Sequence, residues 1–377
     1  MEIRFCASIN DIDASQWDSL ARGDQYPFTR HAFLAALEDS KSCSRETGWQ
    51  PYHASLWEDD LLIAAMPLYL KNHSYGEYVF DWAWADAYQR NNREYYPKLI
   101  TCIPFTPASG PRILSAKPLE QVLPIFVEAI QGEALRLGCS SWHCLFPHSD
   151  VHNLLTERSI SARLGSQFHW FNRDYENFDD FLSTFTSRKR KNLRKERQKV
   201  AAQGITLEVK TGDTVSADEW LLFYQLYHRT YFKRSGRQGY LSEAFFELLA
   251  ENMPEQLVMV IASHDDRKVA AALCFRDSDT LYGRYWGCSE EFDFLHFETC
   301  YYQGIEFAIR EGLQRFDPGA QGEHKIQRGF EPVQTFSNHW IVAEDFRAAV
   351  GGFLIREREG VLGYIADAEG YLPFKKG

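Results

Sequence analysis

The order strand, strand, strand, helix, strand occurs twice along this chain, and it leaves few folds open. In the second occurrence, 257–263 and 268–275 are apolar runs of strand length separated by the polar turn His264-Asp-Asp-Arg267. Two such runs joined so briefly predict a hairpin. The aromatic run 280–288 predicts a third strand. Ile305, Ala308, Ile309 and Gly312 then recur at helical spacing within 297–312, and 315–317 predicts a short closing strand. Earlier in the chain, 52–57 and 61–70 flank Glu58-Asp-Asp60 as a hairpin, 118–137 reads as a helix and 140–146 as a strand. Two α/β domains of similar plan, with mixed sheets, are expected. They join near Gln167, where Arg163-Leu-Gly-Ser166 breaks the pattern. The first domain would span 1–166 and the second 167–344, with 345–377 packing back on the first. A length of 377 residues, more than one ordinary core fills, agrees with this division.

Composition narrows the function. Hydrophobic residues make up 45% of the chain, too many for a disordered one. A net charge of −11 argues against nonspecific nucleic-acid binding by the whole surface, though not against a local basic patch. The eight cysteines form no CxxC pair, so no zinc knuckle or dithiol redox site is indicated. Apolar runs such as 61–66 fall far short of the ~20 residues a membrane-spanning helix needs. The first residues lack a basic region followed by an apolar core. A reduced, cytoplasmic protein is expected.

One local patch is strongly basic. From Arg188 to Lys199, eight of twelve residues are basic and one is acidic. No helix breaker interrupts the run, and Gly204 is a natural stop. A solvated helix face is the bland reading. Leu193 and Val200 give only a thin apolar stripe, however, and so much positive charge in an acidic chain suits an anionic partner. Arg188, Arg190, Lys191 and Arg194 are the candidate contacts to a phosphate or nucleic acid.

The sequence contains no GxGxxG after a strand, GxxxxGK[ST], HExxH or GxSxG. His143, His148 and His152 do not share a helical face, and Pro147 would break a helix there, so no metal is expected at them. The densest chemistry lies in Gly319-Ala-Gln-Gly-Glu-His-Lys-Ile-Gln-Arg-Gly-Phe330. This segment follows the short strand 315–317, at the place in an α/β layer where ligands bind. Gln321, Glu323, His324, Lys325 and Arg328 crowd into eight positions, beside small residues that admit a substrate. A glycine-rich loop with solvated charges is the competing reading. The strand 280–288 would present Arg284 and Trp286 on one face and Tyr285 on the other.

These segments resemble the FemAB-like N-acyltransferases, a bacterial branch of the doubled GNAT (acyl-CoA N-acyltransferase) fold. The resemblance covers nearly the whole chain. It is carried by Lys71-Asn-His-Ser-Tyr-Gly-Glu-Tyr-Val-Phe-Asp-Trp82, Tyr95-Tyr-Pro-Lys98, Pro104-Phe-Thr-Pro-Ala-Ser-Gly-Pro-Arg112, Gln167-Phe-His-Trp170, Arg188-Lys-Arg-Lys191, Leu281-Tyr-Gly-Arg-Tyr-Trp-Gly287, Leu295-His-Phe-Glu298 and Gly319–Lys325. It implies two tandem GNAT-like domains and transfer of an acyl or aminoacyl group to an amine. The wider Fem transferases take amino acids from aminoacyl-tRNA to peptidoglycan precursors. Their lysine near a terminal Gly-Phe corresponds to Lys325 before Gly329-Phe330, which implies that Lys325 stabilises the carbonyl oxygen.

Amine attack on an activated carbonyl creates an oxyanion that a preorganised cation stabilises, and the amine must lose a proton to a base. Glu323, slightly preferred, His324 and Glu298 are candidates for that base. His296 and Glu298 also suit substrate contact or the polar start of a helix. The phosphate-cradling [QR]xxGx[GA] of ordinary GNAT acetyltransferases has no match in the chain. Acyl-CoA and aminoacyl-tRNA therefore both stand as donors, and no metal is implied. In the first domain, Arg112 on a proline-rich loop is expected to meet an anion. His73, Tyr75, Asp81, Trp82, Tyr88 and Lys98 are expected to form an acceptor groove, or else aromatic core. A noncatalytic RNA-binding protein on the same doubled fold is the second functional reading.

Overall fold

The computed structural model describes residues 1–21, 26–236, 238–320 and 322–375. The chain forms two compact units, Met1–Ser166 with Gln334–Gly363, and Gln167–Val333 with Tyr364–Gly377. Residues 334–344, expected in the second domain, thus pack with the first. The reason is pairing: Ser337–Ile341 run antiparallel to Ser141–Leu145. The tail also divides, because the helix Glu344–Glu369 gives its first part to unit 1 and its last turns to unit 2.

In unit 1 the hairpin His53–Glu58 and Leu61–Met66 lies between Glu2–Cys6 and Leu114–Ser115 in one antiparallel sheet. The second run is shorter than expected, since Tyr69–Lys71 leaves it to join a separate sheet. There it pairs with Trp49–Pro51 and Lys98–Thr101, and the latter runs parallel to Ser141–Leu145. The helix Leu119–Arg136 buries Val122, Leu123, Phe126 and Ile130, at helical spacing, among Leu56, Ile63 and Trp142.

Unit 2 is built on the strands Ile205–Thr211, Leu257–His264, Arg267–Arg276, Thr280–Cys288 and Arg315–Asp317, in that order, followed by 167–171. All neighbours are antiparallel except Thr280–Cys288 with Arg315–Asp317. The hairpin turn falls on Asp265 and Asp266, both at positive φ, as a tight two-residue connection needs. Arg163-Leu-Gly-Ser166, expected to break the pattern, instead lies inside the continuous strand Ser161–Phe171.

Alternation along Thr280–Cys288 separates the two faces of this sheet. Tyr285 packs on Tyr227 and Phe246, from the helices Ala217–Ser235 and Glu243–Asn252. Trp286 packs on His296. The expected helix 297–312 is interrupted: Leu295–Phe297 leads into a π-helical stretch, Glu298–Tyr302, before Gln303–Arg310. Among the described residues, no helix is long and apolar enough to cross a membrane.

Candidate active site

Lys325 is the focus of unit 2. The segment after Arg315–Asp317 is not an open loop throughout, since Glu323–Arg328 form a short 3₁₀ helix. Gly322 precedes it at φ 108°, and a Cβ there would lie 2.4 Å from the His324 ring, so only glycine makes this entry without strain. The turn carries Lys325 inward to 1% exposure. Its Nζ donates to the Gly319 carbonyl at 2.6 Å and lies 6.0 Å from the centre of the Tyr301 ring. Burial lowers the ammonium pKa to about 8; Asp317 opposes the fall and Arg284 adds to it. Lys325 is therefore a desolvated amine, mostly cationic at neutral pH. Among the described residues, only one of its three N–H donors has a partner.

Aromatic rings and two imidazoles surround it. Tyr301 Oη and His324 Nε2 lie 2.9 Å apart, and the Phe297 ring is 5.3 Å from that of His324. His296 lies between Trp286, at 5.3 Å, and Tyr301, at 5.4 Å, with His324 at 6.3 Å. Partial burial, then the charges of Lys325 and Arg328, lower His324 to about 4. Burial, followed chiefly by His324, lowers His296 to about 3. Both imidazoles are neutral at physiological pH. Each therefore carries one ring N–H and one bare nitrogen, able to donate one hydrogen bond and accept another.

Behind the lysine, Asp317 is buried against Arg284. A β-bulge leaves Arg284 as the extra residue between Gly283 and Tyr285, and its Nη2 meets Asp317 Oδ2 at 2.7 Å. Burial alone would raise the Asp317 pKa, but the guanidinium and His169 hold it well below the usual carboxylate range. Arg284 was expected to face a substrate. Its side chain is instead 1% exposed and committed to Asp317.

Other expected contacts are likewise committed within the fold. Glu298 is buried and takes a forked hydrogen bond from Arg197, which removes it as a free base. Arg328 is held by Glu196 and stacks 3.5 Å over Phe297. Glu323 is exposed, with Tyr364 Oη donating to it at 3.0 Å. Gln321 lies outside the described residues. Tyr301, Phe297, Asp317 and His169 had not been singled out. Phe297 and Tyr301 lie in the aromatic stretch 294–302, whereas Asp317 ends the strand 315–317 and His169 lies in Gln167-Phe-His-Trp170.

The basic run forms the helix Ser187–Ala202. Arg194 bonds Asp179 in an exposed pair, and the half-buried Arg197 pairs with Glu298 and Glu306. Among the described residues, Arg188, Arg190, Lys191 and Lys195 make no ion pair. Arg188 and Lys191 are exposed and Arg190 half-buried.

In unit 1 the expected groove residues separate. Lys98 is fully buried, donating to Glu77 at 2.8 Å, Ser74 at 2.8 Å and Asp81 at 2.5 Å. Asp81 also accepts from Tyr95, and Tyr88 packs on Tyr95 and Phe346. These three residues are interior. Arg112, expected to meet an anion, is fully buried and donates to the carbonyls of Leu145, Ala108 and Pro111, so it braces its own loop. His73, Tyr75 and Trp82 form a chain of rings near the surface. Beneath them Lys71, also not singled out, sits 3.5 Å over the Trp49 ring, and burial lowers its pKa to about 7. Of the histidines considered for metal, His143 bonds His339 and His152 bonds Asn338.

The comparisons with known proteins agree with this architecture. The family described as FemAB-like, peptidoglycan biosynthesis/recognition, matches residues 8–376. Among solved structures the chain is similar to FemX, at 12% identity and TM-score 0.56, over 93% of this chain and 100% of that one. It is also similar to L-PGS from Bacillus licheniformis, at 10% identity and TM-score 0.51, over 85% of this chain and 96% of that one. At these identities the likeness establishes fold. No curated protein matches the sequence.

Proposed function

The chain belongs to the FemAB-like family, and we propose that it is an N-acyltransferase moving an acyl or aminoacyl group from an activated donor to an amine. Family and fold support the transferase class. The narrower reading rests on one observation: the buried Lys325 ammonium, with donors to spare, between a glycine turn and the Tyr301 ring. Such a cation is preorganised for the oxyanion formed when an amine attacks a thioester or ester carbonyl. The leaving thiol or hydroxyl takes up a proton and the amine nitrogen gives one up. His324, which shares Tyr301 with Lys325, is the base candidate preferred to Glu323. With a pKa near 4 it relays a proton rather than storing one.

Acyl-CoA and aminoacyl-tRNA are the two donor classes, with the exposed cations of Ser187–Ala202 offered to donor phosphate. Unit 1, with its surface rings at His73, Tyr75 and Trp82, is proposed to recognise the acceptor. The cytoplasm is the proposed compartment. Native mass spectrometry with a panel of acyl-CoAs and charged tRNAs identifies the donor. Transfer from the retained donor should then be abolished in Lys325→Ala with the fold intact, and near-normal turnover would remove Lys325 from the mechanism. Arg188, Arg190, Lys191 and Lys195, which make no ion pair among the described residues, also favour a second reading, RNA binding without chemistry. Binding indifferent to the charged 3′ amino acid would select it.

A further inference from the structure

The helix Ser187–Ala202 has two differently used sides. Arg188, Lys191 and Lys195, spaced i, i+3 and i+7, lie along one exposed stripe. Its other side holds three polar side chains that reach the elements carrying the Lys325 cluster. Lys189 Nζ donates to Gln327 Oε1 at 3.1 Å. Glu196 accepts from Arg328 at 2.8 and 2.9 Å and from the Tyr302 hydroxyl. Arg197 grips Glu298 at 2.8 Å and Glu306 at 2.7 Å.

Arg328 makes the decisive connection. Its Nη1 donates to the His324 carbonyl at 2.7 Å and its Nε to Tyr302 Oη at 2.9 Å. Its guanidinium plane lies over the Phe297 ring. One side chain thus ties together the turn containing Lys325, the π-helical Tyr302 and the basic helix. The π-helical stretch presents Tyr301 to His324 and Tyr302 to Glu196 from adjacent positions. Glu196 is the lone acidic residue between Arg188 and Lys199. A charge placed there to relieve repulsion along the helix would point outward. This one instead meets Arg328, 9% exposed, through two oxygens.

We propose that Glu196 and Arg328 are positioning residues that fix the amine of Lys325, making the basic helix part of the catalytic framework and not only a phosphate contact. The proposal rests on the catalytic reading of Lys325. Its test is chosen to be independent of turnover. The full-length protein is trace-labelled with acetic anhydride from pH 6 to 11. Acetylation at Lys325 is then read by peptide mass spectrometry against the surface Lys117.

In the parent protein, Lys325 should label slowly, with a midpoint near 8. In Glu196→Gln and Arg328→Met the midpoint should move up toward that of an ordinary lysine. Labelling at pH 10 should rise about fivefold or more as the turn opens locally, with Lys117 unchanged. Arg328→Lys, which keeps the charge but loses the fork, should fall between parent and Arg328→Met. If Arg328→Met does not fold, Glu196→Gln carries the test, because it keeps the side chain's shape but replaces one of the two oxygens that accept from Arg328 with an NH2 donor. An unchanged Lys325 profile in the folded variants overturns the proposal. If Lys325→Ala still transfers acyl groups, the catalytic reading fails on its own, and the labelling result still decides whether the pair fixes the turn.

Discussion

Two buried lysines show how partners decide what the same side chain can do. Lys325 has a carbonyl as its hydrogen-bond partner, and burial brings its pKa to about 8. If its ammonium stabilises an oxyanion, transfer should be fullest below pH 8. It should then fall by about tenfold per unit above it, since only the cation donates. A kcat–pH profile checks this, and a rate that instead rises through pH 8 would make Lys325 a base. Lys71 lies over Trp49 with Tyr75 O and His73 Nδ1 as its hydrogen-bond partners, and its pKa falls to about 7 from 10.5. Between those values the unfolded chain binds the proton that the native one has released. The resulting destabilisation is complete below pH 7 and vanishes above 10.5. Lys71→Met, of similar length, should therefore raise the melting temperature relative to the parent more at pH 6 than at pH 9. An equal difference at both would show that Lys71 is not desolvated as described. Residues such as these limit what a sequence reveals. Lys98 and Arg112 were read as recognition groups because they sit among aromatics and prolines. Their partners, Glu77 and Asp81 for one and three carbonyls for the other, are brought to them only by the fold.

At the level of elements, alternation and helical spacing carried more information than individual charges did. The hairpins, the helix Leu119–Arg136 and the basic helix all follow from patterns local to the chain, because each buries a stripe that repeats at its own period. The π-helical stretch does not, since its extra residue is set by Tyr301 and Tyr302 turning to different partners. Nor does the 3₁₀ turn carrying Lys325, which depends on Arg328 reaching Glu196. One packing contact invites a direct test. The helix Ala217–Ser235 approaches Thr280–Cys288 so closely that a Cβ at Gly287 would lie 2.1 Å from the Leu226 carbonyl carbon. Backbone cannot swing aside as a side chain does. Gly287→Ala should cost about 3 kcal/mol, the upper end for overpacking. That corresponds to a melting temperature lower by roughly 10 °C, read by calorimetry. A loss under about 1 kcal/mol would mean that the helix shifts freely on the sheet.

For the whole molecule, the chain threads its two units out of order. Residues 334–363 return to the unit begun by 1–166, after unit 2 has been built. The returning segment is part of the interior. Ser337–Ile341 pair with Ser141–Leu145, and Ile341, Val350 and Leu354 close a core with Trp84, Tyr88 and Tyr95. A fragment ending at Ser166 would leave Ser141–Leu145 with one open edge and three large aromatic rings uncovered. Both faults remove apolar burial, at roughly 25 cal/mol per Å², from a fold whose total margin is only about 5–15 kcal/mol. We therefore expect fragment 1–166 to lack a cooperative urea transition by circular dichroism and to bind a hydrophobic dye. Co-expression with 334–363 should restore the transition, because that peptide supplies both the missing strand and the covering helix. A fragment 1–166 that unfolds cooperatively alone would show that the repeated strand–helix pattern suffices for the first unit. In that event 334–363 is an addition to a finished domain rather than a component of it.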